Sequence, residues 1–335
     1  MKSESYMPEY NNEVPKKRST ELLLVGMMAM GGCVTTPASV EHVQGNTYET
    51  PVTEDQLAFV NEKMQEKITP ELLEEAGING DQRENIIEEM PHLTVIIKTK
   101  EGKREVKLAV NRDIFQNGAK IFIDSHVSDF TVSSTTERLS HKEELESLRK
   151  GIKDLFDNIN LPNEFVASSS VANVPINLYP SDSDIVKKGY LGNVQPRYII
   201  EEQVSFAGIV NIGLGREKTT IFDKALIQVP DDAASVTDEV ERKRIESIIA
   251  RERLKLNYEH AGAHELIHAF GYRGHALDGI MRSSPYISLG QVELTDESNF
   301  TIKDTHFKLF LDRGDRDTGV WAALRLVPIL LKHGF

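Results

Sequence analysis

Apolar positions recur along this chain with two different periods, and the change between them divides it. Over residues 54–75, Leu57, Val60, Met64, Ile68, Leu72 and Leu73 keep helical spacing, interrupted at Pro70. Residues 93–99 and 106–110 carry β-branched and alternating apolar positions on either side of Glu101-Gly102, which predicts a hairpin. From about residue 118, strands and helices alternate. Residues 120–124, 174–179, 207–213 and 224–229 read as strands. Residues 141–159 read as an amphipathic helix with Leu145, Leu148, Ile152, Leu155 and Phe156 on one face. A charged helix is expected over about 237–256, with Ile245, Ile248 and Ile249 spaced for burial. A histidine-containing segment follows it, then a short helix around 302–311 and a final helix around 318–332. The pattern predicts an α+β fold.

Composition narrows the function classes. With 335 residues and 39% hydrophobic content, the chain can bury one large core or two ordinary ones. Its 39 Lys and Arg face 52 Asp and Glu, a net charge of -13, which argues against a nucleic-acid partner whose affinity would rest on neutralising phosphates. The single cysteine, Cys33, excludes an internal disulfide framework and a zinc site built from cysteines. Lys16-Lys17-Arg18 precedes an apolar run over 22–32 that is too short to span a bilayer, and Gly31 and Gly32 lead directly into Cys33. This arrangement resembles a bacterial lipoprotein signal. The resemblance implies cleavage before Cys33, acylation of Cys33 and export to the cell envelope, with the lipid at Cys33 as the sole membrane attachment. The apolar run 320–331 contains Arg325 and Pro328 and reads as a core helix.

The chemistry concentrates in residues 263–284, A-H-E-L-I-H-A-F-G-Y-R-G-H-A-L-D-G-I-M-R-S-S. On a helix, His264 and His268 lie one turn apart on the same face, close enough to share a cation. Glu265, beside the first of them, can reach a water held by that cation without becoming a ligand. Gly271 suits a left-handed residue that ends the helix, and Gly274 provides a second flexible point before His275 returns. Three imidazoles with a fourth position open for water is the donor set of a catalytic Zn²⁺ site.

His264-Glu-Leu-Ile-His-Ala-Phe-Gly271, the third histidine and Gly279-Ile-Met281 together resemble the metzincin clan of zinc endopeptidases, and the helix looks most like those of matrixins and astacins. The order of strands and helices from about 118 onward is also similar. The resemblance spans about the last two-thirds of the chain, although a stretch of roughly 20 residues carries the specific motif. It implies a metzincin-like twisted mixed sheet with an active-site helix, a C-terminal helix, and a Met-turn in which Met281 floors the site. It also implies Zn²⁺ on His264, His268 and His275, with Glu265 as general base. The implied substrate is a protein or peptide.

The expected layout is a signal over 1–32, a tether over 33–52, an N-terminal accessory or pro-region over 53–115, and the metallopeptidase domain over 116–335. The family's third ligand sits one residue earlier, where this chain has Gly274, so Asp278 stands as an alternative to His275. Ser283 occupies the place of the family's tyrosine after the Met-turn, with Tyr286 nearby, and the matrixin latency cysteine is absent. Strand 224–229 corresponds either to the cleft's upper rim or to an internal strand. His260, one turn before His264, is expected beside the site or in solvent. Two further alternatives stay open. One is a gluzincin-type peptidase whose third ligand is Glu293, with Glu297 a further candidate. The other is a zinc-bearing lipoprotein that binds a peptide or envelope partner without cleaving it.

Overall fold

The computed structural model describes residues 48–49, 53–99, 101–127, 138–180, 183–185, 192–200, 204–215, 239–275, 280–281, 292–296, 299–302 and 315–335. The described residues begin with strand β1 (Tyr48–Glu49), followed by helices α1 (Glu54–Lys67), α2 (Pro70–Glu75) and α3 (Arg83–Glu89). A single 3₁₀ turn, Met90–His92, leads into the hairpin of β2 (Thr94–Lys98) and β3 (Arg104–Leu108). Thr53 and Gln56 close a reciprocal capping box at the start of α1, and Pro70 occupies the first turn of α2, where its missing N–H costs nothing. The expected interruption at Pro70 is therefore a helix start.

Helix α4 (Arg112–Asn117) and β4 (Ala119–Ser125) open the second half, followed by α5 (His141–Asn158), β5 (Asn163–Phe165) and β6 (Val174–Pro180). Strands β7 (Gly192–Ile200) and β8 (Val204–Leu214) precede the long helix α6 (Glu239–Phe270). The chain finishes with β9 (Val292–Asp296), β10 (Asn299–Ile302) and α7 (Asp315–Lys332). The result is α+β. Its main sheet has the order β5-β4-β6-β8-β7, parallel except for β7, which pairs antiparallel with β8 at one edge.

One face of that sheet carries Ile176, Leu178, Val194, Val210 and Ile212, all fully buried or nearly so. The pleat turns alternate residues to the opposite face. There Asn177, Asn211 and Asn193 stand in register on three neighbouring strands, joined by amide hydrogen bonds of 3.2 and 2.9 Å. This amide row ties β7 to a single register, because a one-residue slip would send every side chain to the wrong face.

Buried polar contacts lock α6 to α5 and β8. Glu144 of α5, with no exposed surface, accepts from Tyr258 Oη at 2.8 Å and from the Gly215 N–H at 2.9 Å. Arg251 donates to Glu143 at 2.6 Å, and Glu143 also closes the capping box with Ser140 at the start of α5. A carboxylate buried this deeply is tolerable only because its oxygens are satisfied.

Several elements differ from the sequence expectation. The charged segment and the histidine segment form one helix of 32 residues, since no proline interrupts the backbone between them. Strand β7 was not expected. Ile302, expected to begin a helix, ends strand β10. The remainder of the expected 303–311 helix and the strand 224–229 lie outside the described residues.

The boundary at 115/116 does not coincide with a break in packing. Val60, Met64, Ile86, Leu93 and Val110 belong to the same hydrophobic core as Ile176, Leu266, Phe270 and Leu324. The C-terminal helix α7 packs on the N-terminal helices so closely that a Cβ at Gly319 would sit 3.0 Å from the Asn85 carbonyl. At the chain's end the Arg112 guanidinium donates to the Phe335 carbonyl at 2.9 Å. Among the described residues no helix is long and apolar enough to cross a membrane.

Candidate metal centre

The last three turns of α6 are buried on every side, so their polar residues are exceptions to be explained. Ala261, Ala263, Leu266, Ile267 and Phe270 provide the apolar contacts. Among them lie His260, Glu259, His264, Glu265 and His268, each no more than 6% exposed. Removing this many polar groups from water is costly unless each has a partner or a ligand.

The helix ends on a Schellman motif. The Gly271 N–H donates to the His268 carbonyl at 3.0 Å and the Tyr272 N–H to the Ile267 carbonyl at 3.2 Å. Gly271 adopts φ of 118°, as its capping position was expected to require. A side chain is excluded there for a second reason: a Cβ would approach the Ala109 carbonyl oxygen to 2.2 Å. Gly274, with φ of 83°, completes the reversal and returns His275 to the helix.

The three expected histidines converge. Their ring centroids are 4.8, 5.0 and 5.3 Å apart, and one ligand nitrogen from each lies within 4.8 Å of the others. Nδ1–H of His264 donates to the Ile280 carbonyl at 2.6 Å, and Nδ1–H of His268 donates to the Tyr272 carbonyl at 2.9 Å. Each bond fixes the tautomer, leaving Nε2 with its lone pair directed inward. The Nε2 atoms of His268 and His275 are 3.4 Å apart. Two nitrogens at ~2.0–2.1 Å from one tetrahedral ion would stand about 3.3–3.4 Å apart, so the spacing fits a shared cation. The described residues therefore contain a mostly buried His264, His268 and His275 group that could hold a metal ion.

Electrostatics favour the neutral, metal-ready form. Burial pushes His268 down to about 3, helped by the neighbouring His275, and pushes His275 down to about 4, helped by His92. His264 is held well below the ordinary histidine range, first by burial and then by the His268, His260 and His275 imidazoles. No proton has to be displaced from these rings near neutral pH before a cation binds.

Glu265 is 2% exposed and packs against the start of β7, where a Cβ on Gly192 would come within 2.8 Å of its Cγ. Met281 is fully buried beside Ile280, whose carbonyl orients His264. His260 is buried and stacked on His264 at 5.3 Å, with its pKa lowered to about 4 by burial. It stands outside the three-ligand group, which agrees with a place beside the site. Glu293 falls within strand β9 and not at a helix start. Cys33, Asp278, Ser283, Tyr286 and Glu297 lie outside the described residues.

Sequence reasoning missed the Ile280 and Tyr272 carbonyls, because backbone acceptors carry no residue signature. It also missed Gly192, whose role depends on a contact 73 positions along the chain, from 192 to 265. Comparison of the chain with protein-family models, with curated proteins and with solved structures finds no match.

Proposed function

We propose that this chain is a zinc-dependent endopeptidase with a metzincin-like catalytic domain. The observation that carries the reading is the convergence of three imidazoles, two with their outer nitrogens tied to carbonyls, next to a buried glutamate at the helical position following the first ligand. Three neutral nitrogens suit Zn²⁺ with one coordination position left for water. When bound there, Zn²⁺ brings the pKa of a water toward neutrality and polarises a substrate carbonyl.

The chain's own residues supply the rest. Glu265 accepts the proton of the attacking water and delivers a proton to the leaving amine as the peptide bond breaks. Its burial keeps competing water away from the carboxylate and strengthens its electrostatic effect. The Ile280 and Tyr272 carbonyls hold two ligand rings in the tautomer and orientation the metal requires.

Strand β7 supports a peptide substrate. Among the described residues it is one of the two edge strands of the main sheet, opposite β5; it contains Pro196 as an edge strand can, and it begins against Glu265. An extended peptide adding to that edge would run past the catalytic carboxylate. This is one of the two roles expected of strand 224–229, which lies outside the described residues.

An intact base beside the metal favours hydrolysis over simple peptide binding. A peptide library incubated with the zinc-loaded chain and with Glu265→Ala separates the two readings. Cleavage by the unsubstituted chain alone supports the enzyme, whereas equal binding of peptides by both, without cleavage, supports the binder.

Export and lipid anchoring at Cys33 belong to the same proposal, on the strength of the residues preceding it. Labelled palmitate should enter the chain and be lost in Cys33→Ser. Label retained by Cys33→Ser would rule the anchor out.

A further inference from the structure

The return loop that carries His275 is gripped from outside by a segment far away in sequence. Tyr272 Oη donates to Glu89 Oε2 at 2.5 Å, and both residues are buried. The His92 imidazole stacks on the Tyr272 ring, with centroids 4.7 Å apart and planes 21° from parallel. His92 Nδ1–H donates to the Arg273 carbonyl at 2.5 Å, and the Arg273 N–H returns a bond to the His92 carbonyl at 3.0 Å. The Arg273 guanidinium adds a bond to the Pro91 carbonyl at 3.0 Å. On the other side of the loop, the Asn111 N–H donates to the Phe270 carbonyl at 2.9 Å, and Gly271 lies flat against Ala109. The two gripping segments are themselves joined, by the Ala109 N–H donating to Leu93 at 2.8 Å.

The loop needs such support. Two of its five residues, Gly271 and Gly274, have positive φ, so its backbone has freedom that side chains elsewhere would restrict. Its duties are exacting: the Tyr272 carbonyl orients His268, and His275 must meet the other two ligands. Tyr272 links support to site: its ring and hydroxyl are held by 89–92 while its carbonyl holds His268.

We propose that Glu89 and His92 are positioning residues for the metal centre, and that residues 53–115 are a permanent part of it and not a removable pro-region. This rests on the reading of His264, His268 and His275 as metal ligands, but it does not require the metal centre to cleave peptides. Glu89 and His92 act through Tyr272 and Arg273: they fix the return loop before metal arrives, so that the third nitrogen is already in place. Loss of groups that orient ligands in this way typically weakens metal binding about 10- to 100-fold.

The test uses the full chain loaded with Co²⁺ as a visible probe, alongside zinc affinity from competition with a chromophoric chelator. His92→Phe keeps a ring on Tyr272 and removes the donor to Arg273. Tyr272→Phe keeps the stack and cuts the bond to Glu89, and it serves if the first variant does not fold. The expected result is a drop in affinity of about 10- to 100-fold. At saturating Co²⁺ the d–d bands should shift in the direction seen for His275→Ala under the same conditions, with partial recovery in His92→Asn, which restores an N–H donor. Unchanged affinity and unchanged bands in both variants would overturn the proposal, as would a lowered unfolding temperature with unaltered bands, because that describes a merely structural contact. A parent chain that binds neither cobalt nor zinc would remove the metal reading itself, and this proposal with it. A parent that binds metal yet cleaves nothing would remove only the peptidase, and the band comparison would still decide the positioning role.

Discussion

His268 and His275 face each other Nε2 to Nε2 at 3.4 Å, and the Nδ1–H of His268 is already committed to the Tyr272 carbonyl. The inward nitrogen of His268 therefore presents a lone pair to its neighbour in a buried setting. A cation between the rings satisfies both.

On the proposed reading His275 is the third ligand, and substituting it should expose that directly. His275→Ala is expected to lose tight zinc binding, while Asp278→Ala should keep the stoichiometry and affinity of the parent. Metal content after dialysis against a weak chelator distinguishes them. Retention by His275→Ala with loss in Asp278→Ala would transfer the assignment to the aspartate.

Gly192 should be essential to the geometry of Glu265. A Cβ there would meet Ile212 Cδ1 at 2.7 Å, Glu265 Cγ at 2.8 Å and the Asn211 carbonyl at 3.1 Å. The isoleucine tip can move, so the fold should survive Gly192→Ala with the carboxylate displaced. Misplacement of a catalytic group by about 1 Å can cost on the order of 100-fold, so kcat should fall by about 10- to 100-fold. Zinc affinity should hold, since the proposal places Glu265 outside the ligand set. Parental kcat in this variant would contradict the placement of Glu265.

The metal-free protein should lose stability on acidification before its carboxylates titrate. His268 is pushed down to about 3, and His260 and His275 to about 4, against an ordinary value near 6.5. Below pH 6.5 the unfolded chain takes up protons on these rings that the folded chain does not, so stability falls as pH falls toward the folded values. Thermal midpoints measured in chelator should decline between pH 6.5 and 5, with a smaller slope in His260→Gln. A midpoint that rises over that interval would contradict the burial of these rings as neutral groups.

The site was legible in the sequence to the extent that it is local. His264, Glu265 and His268 share one helical face by spacing alone, and Gly271 marks the helix end because a left-handed residue there favours glycine. Strands β4, β6 and β8 announced themselves by β-branched runs. Strand β7 did not, because Pro196, Gln195 and Arg197 break its apolar pattern, as suits a sheet edge that a central strand could not tolerate. The single helix α6 spans what the sequence pattern divides in two, because its composition changes from charged to apolar midway although nothing in the backbone stops it. The brace formed by Glu89, His92 and Ala109 was invisible for a different reason. Its contacts join residues more than 150 positions apart, and nothing in the local pattern of either segment records the other.

The proposed activity is hydrolysis by Glu265 beside a metal held by three histidines. Its most direct test is mass-spectrometric readout of a peptide library incubated with the zinc-loaded chain and, in parallel, with Glu265→Ala. Cleavage by the parent is expected, with a fall of about 100- to 10,000-fold in the variant and equal zinc content in both. Cleavage by both at similar rates, or by neither while both hold one zinc, would contradict it.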